Sequence, residues 1–190
     1  MAAWSQFSGF SKVLRRYLRD YGGMSAVVTS PLFILSVFIA GIDYDNWLSA
    51  KWVELSQSLI PSLLGFSLGT YAILFSLLTG RLKKSLQTMQ VSPGVSYLAM
   101  VNATFFHFIF VQILALVWAF LYAGTALADV AGALGSALPW VAPAFAVMSA
   151  LGSFVGFQLL VYSFMLILGS ALAVYRLAGI REPMSDDETK

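Results

Sequence analysis

The sequence predicts an all-α, polytopic membrane protein of about four transmembrane helices, preceded by an amphipathic interfacial helix, with both termini in the cytoplasm. Three observations predict it. The first is composition: of 190 residues, 59% are hydrophobic and only 11% are charged, and the mean hydropathy is +0.81. A soluble domain is about 45–50% apolar and about 25% charged, and so few charges would not cover the surface of a water-soluble fold of this length. The second is the recurrence of apolar runs, at 24–42, 58–80, 96–123 and 152–175. Each approaches or exceeds the ~20 helical residues needed to cross a hydrocarbon core of ~30 Å. The third is the distribution of bases. Every Lys and Arg except Lys51 falls in the N-terminal segment, in 81–84, or beyond 175, and the positive-inside rule puts those three segments in the cytoplasm.

Residues 1–23 form the first element. Trp4, Phe7, Phe10, Leu14, Tyr17, Leu18 and Tyr21 recur at spacings of three and four, with Lys12, Arg15, Arg16 and Arg19 opposite them. That pattern predicts a helix lying flat on the anionic cytoplasmic leaflet. The plainer alternative is a basic flank that only sets topology. The first span, 24–42, contains Pro31 near its start, a residue that begins or kinks a helix. It runs on into Asp43–Tyr44–Asp45 without a small-residue cleavage pair, so it reads as an uncleaved anchor.

Residues 43–57 are acidic and aromatic, and their Tyr44, Trp47 and Trp52 are expected at the membrane–water interface. The second span, 58–80, ends at Arg81, Lys83 and Lys84. The third covers 96–123. The apolar run from 144 to 178 is too long for one crossing, so the fourth span is set at 152–175, and 130–151 becomes a separate interfacial or re-entrant piece. The domain organisation is then a basic cytoplasmic segment (1–23), a four-helix transmembrane domain (24–178) and a short, charged, disordered cytoplasmic tail (179–190). No stretch outside the spans is long enough for a soluble domain.

Two sets of small residues predict close helix packing. Gly65 and Gly69 form a GxxxG pair, and Gly152 and Gly156, with Ser149, form a second small face. These faces join helices either within one chain or between copies. Polar residues inside the spans need partners. Asn102, His107 and Gln112 lie on the third span and Gln158 on the fourth. Spacings of five put Asn102, His107 and Gln112 on different helix faces, so they do not line one pore stripe. Interhelical hydrogen bonding is their simplest role, for instance His107 to a serine of span two or to Gln158. The sharper reading makes His107 a pH- or ligand-sensitive element.

The chemistry excluded is broad. There is no cysteine and one histidine, which removes thiolate sites and leaves no histidine cluster; no metal or cofactor is expected. The net charge of +2 does not point to nucleic acid. Gly65, Ser67 and Gly69 match the G-x-S-x-G pattern of a serine nucleophile, and Ser67 with His107 nominally supplies a dyad. The pattern belongs on a strand-to-helix elbow, however, and here it lies within a membrane helix. No Walker loop, HExxH or paired carboxylate is present. The expectation is therefore a non-enzyme.

The run SLIPSLLGFSLGTYAILF, from Ser58 to Phe75, and the piece Ala103–Thr104–Phe105–Phe106–His107–Phe108 resemble blocks of a family of small bacterial four-helix inner-membrane proteins. That resemblance implies a multi-pass location in the bacterial inner membrane and brings no activity. In size and helix number the chain is also similar to the membrane subunit of the Kiwa anti-phage system. This likeness implies an oligomeric inner-membrane sensor, acting in antiviral defence, that holds a cytoplasmic effector. The functional expectation is a homo-oligomeric sensor or scaffold that recruits a cytoplasmic partner through Lys12, Arg15, Arg16, Arg19, Arg81, Lys83 and Lys84. The alternative is a homo-oligomeric ion or small-solute channel, whose constriction would be hydrophobic or ringed by Asn or Gln.

Overall fold

A computed structural model describes residues 2–135 and 138–179; the remaining tail, with Arg181 and the expected disorder, lies outside the described residues. So do the side chains of residues 2–8, with Trp4 and Phe7. The fold is all-α apart from one two-residue-deep ribbon. In chain order the helices are α1 (Ala2–Tyr21), α2 (Gly23–Val28), α3 (Pro31–Ile42), α4 (Tyr44–Leu48), α5 (Trp52–Leu77) and α6 (Gly80–Thr88), then α7 (Tyr97–Ala123), α8 (Ala126–Gly135) and α9 (Val141–Ala178). Between α6 and α7, β1 (Gln90–Ser92) pairs antiparallel with β2 (Val95–Ser96). Pro93 and a left-handed Gly94 (φ +77°) form the turn between them.

Among the described residues three helices are long and apolar enough to cross a membrane: α5, α7 and α9. They pack on one another as the centre of the molecule, with α3 and α4 against α9, α1 and α6 against α7, and α8 against α9. The protein is a membrane protein built on these three.

The expected first span differs from a single helix. Residues 24–42 are divided at Thr29–Ser30 between α2 and α3, because Pro31 occupies the first turn of α3. Proline lacks an N–H, and its ring disfavours helical backbone in the residue before it. Ser30 is accordingly extended (φ −60°, ψ 130°). The 12 residues of α3 rise ~18 Å, short of a ~30 Å core.

Two further boundaries move. Residues 52–57 are the first turns of α5, and Trp52 is fully buried. Residues 141–151 are not a separate piece: α9 is continuous over 38 residues, ~57 Å long. Its Pro143 falls in the first turn, where the backbone N–H has no helical partner to lose. Of the segment expected to be separate, only α8 is a helix apart from α9.

The connection between α5 and α7 is also more ordered than a loop. Thr79 caps α6 by accepting from the Leu82 N–H at 3.3 Å. Leu86 is fully buried on one side of α6, while Arg81, Lys83 and Lys84 are exposed.

The core has two parts. One gathers Leu74, Leu86, Val101, Phe105, Phe108, Val111, Tyr162, Leu166 and Leu177. The other gathers Ala40, Trp52, Ile60, Ala115, Ala119, Phe157 and Leu160. Side chains therefore fill the space between the long helices.

Candidate functional site

The most unusual arrangement lies where α1 meets the long helices. A helix with bases on one side and aromatic residues on the other has two ways to bury its apolar face, in lipid or in protein. Here α1 uses protein for its second half. Tyr17 is 7% exposed, and its ring packs 5.0 Å from Phe106 and 6.1 Å from Phe110 of α7. Its hydroxyl lies 2.5 Å from Nδ1 of His107. The other imidazole nitrogen, Nε2, lies 2.8 Å from the Tyr162 hydroxyl on α9. Tyr21, one turn beyond Tyr17, holds its ring centroid 4.4 Å from that of the imidazole, tilted by 31°.

This resolves the polar requirement of His107, which is 2% exposed. A neutral imidazole has one N–H and one lone pair. It donates to one phenol and accepts from the other, so both nitrogens are satisfied without a charge. Three helices, α1, α7 and α9, are thereby joined through one ring. Just beyond the site α1 ends at Gly22 and Gly23, both in the left-handed region (φ +113° and +86°), which glycine adopts without strain. Burial raises the Tyr17 phenol from 10.0 to about 12, with the neighbouring Tyr21 charge as a second cause. The Tyr21 phenol is also raised, mainly by burial.

The bases of α1 face outward: Lys12, Arg15, Arg16 and Arg19 are exposed. Two of them are partly neutralised by Asp20, a residue to which the sequence pattern gave no role. Asp20 is 8% exposed, and its carboxylate meets Arg19 at 3.0 Å and Arg16 at 3.5 Å.

The other intramembrane polar residues separate. Asn102 is exposed and accepts from the Tyr71 hydroxyl at 2.7 Å. Gln158 is bonded neither to His107 nor to span two; its amide donates to Ser36 Oγ at 2.9 Å, and Ser36 donates to the Phe33 carbonyl at 2.7 Å. Gln112 is fully buried, and neither end of its amide has a hydrogen-bond partner among the described residues. The interhelical bond expected for it does not form. Ser67 is buried and likewise unpartnered, while both nitrogens of His107 go to tyrosines, so no Ser67–His107 dyad exists.

The glycine faces also separate. A methyl group at Gly65 or Gly69 would meet nothing within 4 Å. At Gly152 it would lie 3.6 Å from the Tyr122 ring, and at Gly156 only 2.1 Å from the Trp52 indole. Gly156 is therefore the socket for Trp52, whose Nε1 donates to Ser153 Oγ at 2.7 Å. Ser153 in turn donates to the Trp47 carbonyl. Among the described residues no three His, Asp or Glu side chains gather as a metal site.

Sequence reasoning gave Tyr17 and Trp52 only interfacial roles and named no role for Tyr162. The signal for Tyr17 was present, since Tyr17 and Tyr21 are one turn apart on the apolar side of a basic helix and each ends in a hydroxyl. Tyr162 carried no comparable pattern. Comparison with protein families, curated proteins and solved structures finds no match to the chain.

Proposed function

We propose that the protein is a non-enzymatic sensor or scaffold of the bacterial inner membrane, with both termini in the cytoplasm. In this reading α2 and α3 together make a fourth, broken crossing beside α5, α7 and α9, and the chain acts as a homo-oligomer. The exposed bases of α1 and α6 recruit a cytoplasmic partner, with anti-phage defence as the setting that the likeness in size and helix number implies. The observation that carries the reading is the Tyr17–His107–Tyr162 contact. It fixes a basic surface helix to the interior of the bundle, so a change in the bundle reaches the cytoplasmic face through one joint. A fully satisfied buried network of this kind specifies one arrangement, and loss of a member leaves buried groups unpaired.

The test is partner recovery on the tagged, full-length protein. Arg15→Glu with Lys83→Glu and Lys84→Glu should release the partner by removing its binding face. His107→Ala should release it without touching that face. Undiminished recovery from both variants, each correctly inserted, contradicts the proposal.

One observation favours the channel alternative. Gly65 and Gly69 face open space on α5, where a second copy can approach closely. Because Phe105, Phe108, Tyr162 and Leu166 fill the interior, the pore would lie between subunits. Proteoliposomes that hold a solute gradient across pH and voltage would remove this alternative.

A further inference from the structure

A cavity of about 400 Å³ lies between α1, α5 and α7, and it shares Tyr17 with the tyrosine–histidine joint. Its size falls within the ~300–1,000 Å³ typical of small-molecule sites. One wall is polar. Arg16 contributes a guanidinium whose side chain is 76% exposed, and Asn102 uses its Oδ1 to accept from Tyr71, which leaves its NH₂ group as a donor. The other wall is apolar, formed by Leu68, Phe106 and Ile109. Asp20 also borders the cavity, but its carboxylate is held by Arg16 and Arg19. Two arginines against one carboxylate leave a net positive edge.

A cavity with donors and positive charge on one wall and aliphatic and aromatic carbon on the other fits an amphiphile with an anionic head. The planar fork of arginine matches phosphate oxygens, and the cytoplasmic leaflet supplies anionic phosphodiesters at high local concentration. We propose that this cavity binds one anionic glycerophospholipid, with its phosphodiester between Arg16 and Asn102 and the start of an acyl chain along Leu68, Phe106 and Ile109. The bound lipid wedges between α1 and the two long helices, so its headgroup chemistry bears directly on how α1 sits. The site does not depend on a cytoplasmic partner, because occupancy is read on the isolated chain.

The test is native mass spectrometry of the full-length protein, delipidated in detergent and titrated with phosphatidylglycerol or with phosphatidylethanolamine of the same chains. The expected result is one phosphatidylglycerol per chain, retained at least tenfold better than phosphatidylethanolamine. Inorganic phosphate should not displace it, since the acyl contacts are part of the site. Arg16→Gln should cut occupancy tenfold or more. Ala99→Phe, which fills the cavity, should do the same. Arg15→Gln, which removes an equal charge outside the cavity, should leave occupancy unchanged. If Ala99→Phe fails to fold, the surface change Arg16→Gln decides alone. Equal retention of the two lipids, displacement by phosphate, or wild-type occupancy in Arg16→Gln overturns the proposal.

Discussion

Replacing Gly156 with alanine adds one methyl group, and the structure says what that group would strike. The added carbon would lie 2.1 Å from Cη2 of Trp52 and 2.5 Å from Cζ2 and Cζ3. Carbon atoms pack best at ~3.5–4.0 Å, so the indole would have to withdraw by about 1.5 Å. It has little freedom to do so. Trp52 is fully buried, its Nε1 is committed to Ser153, and its ring lies 5.2 Å from that of Tyr122. Overpacking of this kind costs about 1–3 kcal/mol, and displacing the Trp52–Ser153 hydrogen bond about 1 kcal/mol more. The intrinsic helix preference of alanine returns ~1 kcal/mol. The net expectation is a loss of about 1–3 kcal/mol, measured as reversible denaturation in mixed micelles by circular dichroism. Gly65→Ala is the matched control, because its methyl meets nothing within 4 Å; it should be neutral or up to ~1 kcal/mol more stable. Adding Trp52→Leu to Gly156→Ala should recover at least ~1 kcal/mol as coupling between the pair. A Gly156→Ala protein as stable as wild type, or a pair that behaves additively, refutes the socket.

Three other outcomes follow from buried polar groups. Gln112→Leu should raise stability by about 1–3 kcal/mol, since it removes an amide that is buried without partners, and a clear loss of stability would mean that Gln112 is satisfied. Ser36→Ala should cost about 1–2 kcal/mol by orphaning the Gln158 amide, with Ser36→Ala/Gln158→Leu less damaging than the sum of the two changes; strict additivity would dismiss the contact. Docking of α1 should depend on pH through Tyr17. Its buried phenol is raised from 10.0 to about 12, so docking is fully present below pH 10 and weakens as pH rises from there through about 12, where the undocked phenol has already ionised. A tyrosinate absorbance titration in which Tyr17→Phe removes no late-ionising group would contradict this.

Much of the architecture was legible because its cause is local. Lipid-facing helices declare themselves by run length and composition, and α5, α7 and α9 lie where the apolar runs lie. The breaks were less legible. Pro31 marked the start of a helix, but the sequence did not show that 24–28 would form a separate helix before it. The continuity of α9 through 141–151 was hidden because a length argument, sound for a single crossing, does not forbid a helix from running past the bilayer. At the candidate site, His107 was legible as a group in need of partners, and the spacing of Asn102, His107 and Gln112 put them on different faces of one helix. Its actual partners, Tyr17 and Tyr162, are 90 and 55 residues away, and no periodicity within a helix reports which helix stands beside it. The two glycine motifs looked alike in sequence, yet a tryptophan fills the space against Gly156, and among the described residues a methyl at Gly65 or Gly69 meets nothing within 4 Å. Only the packing distinguishes them.

The central claim is that one imidazole pins the basic helix α1 to the bundle, and the chain lends itself to a direct measurement because it contains no cysteine. Spin labels at Arg15→Cys and Gln87→Cys, both exposed positions, report the distance between α1 and α6 by pulsed electron spin resonance in lipid nanodiscs. The account predicts one narrow distance in the otherwise wild-type chain and a broad distribution with longer components after His107→Ala. An equally narrow, unshifted distance in the His107→Ala protein would contradict it.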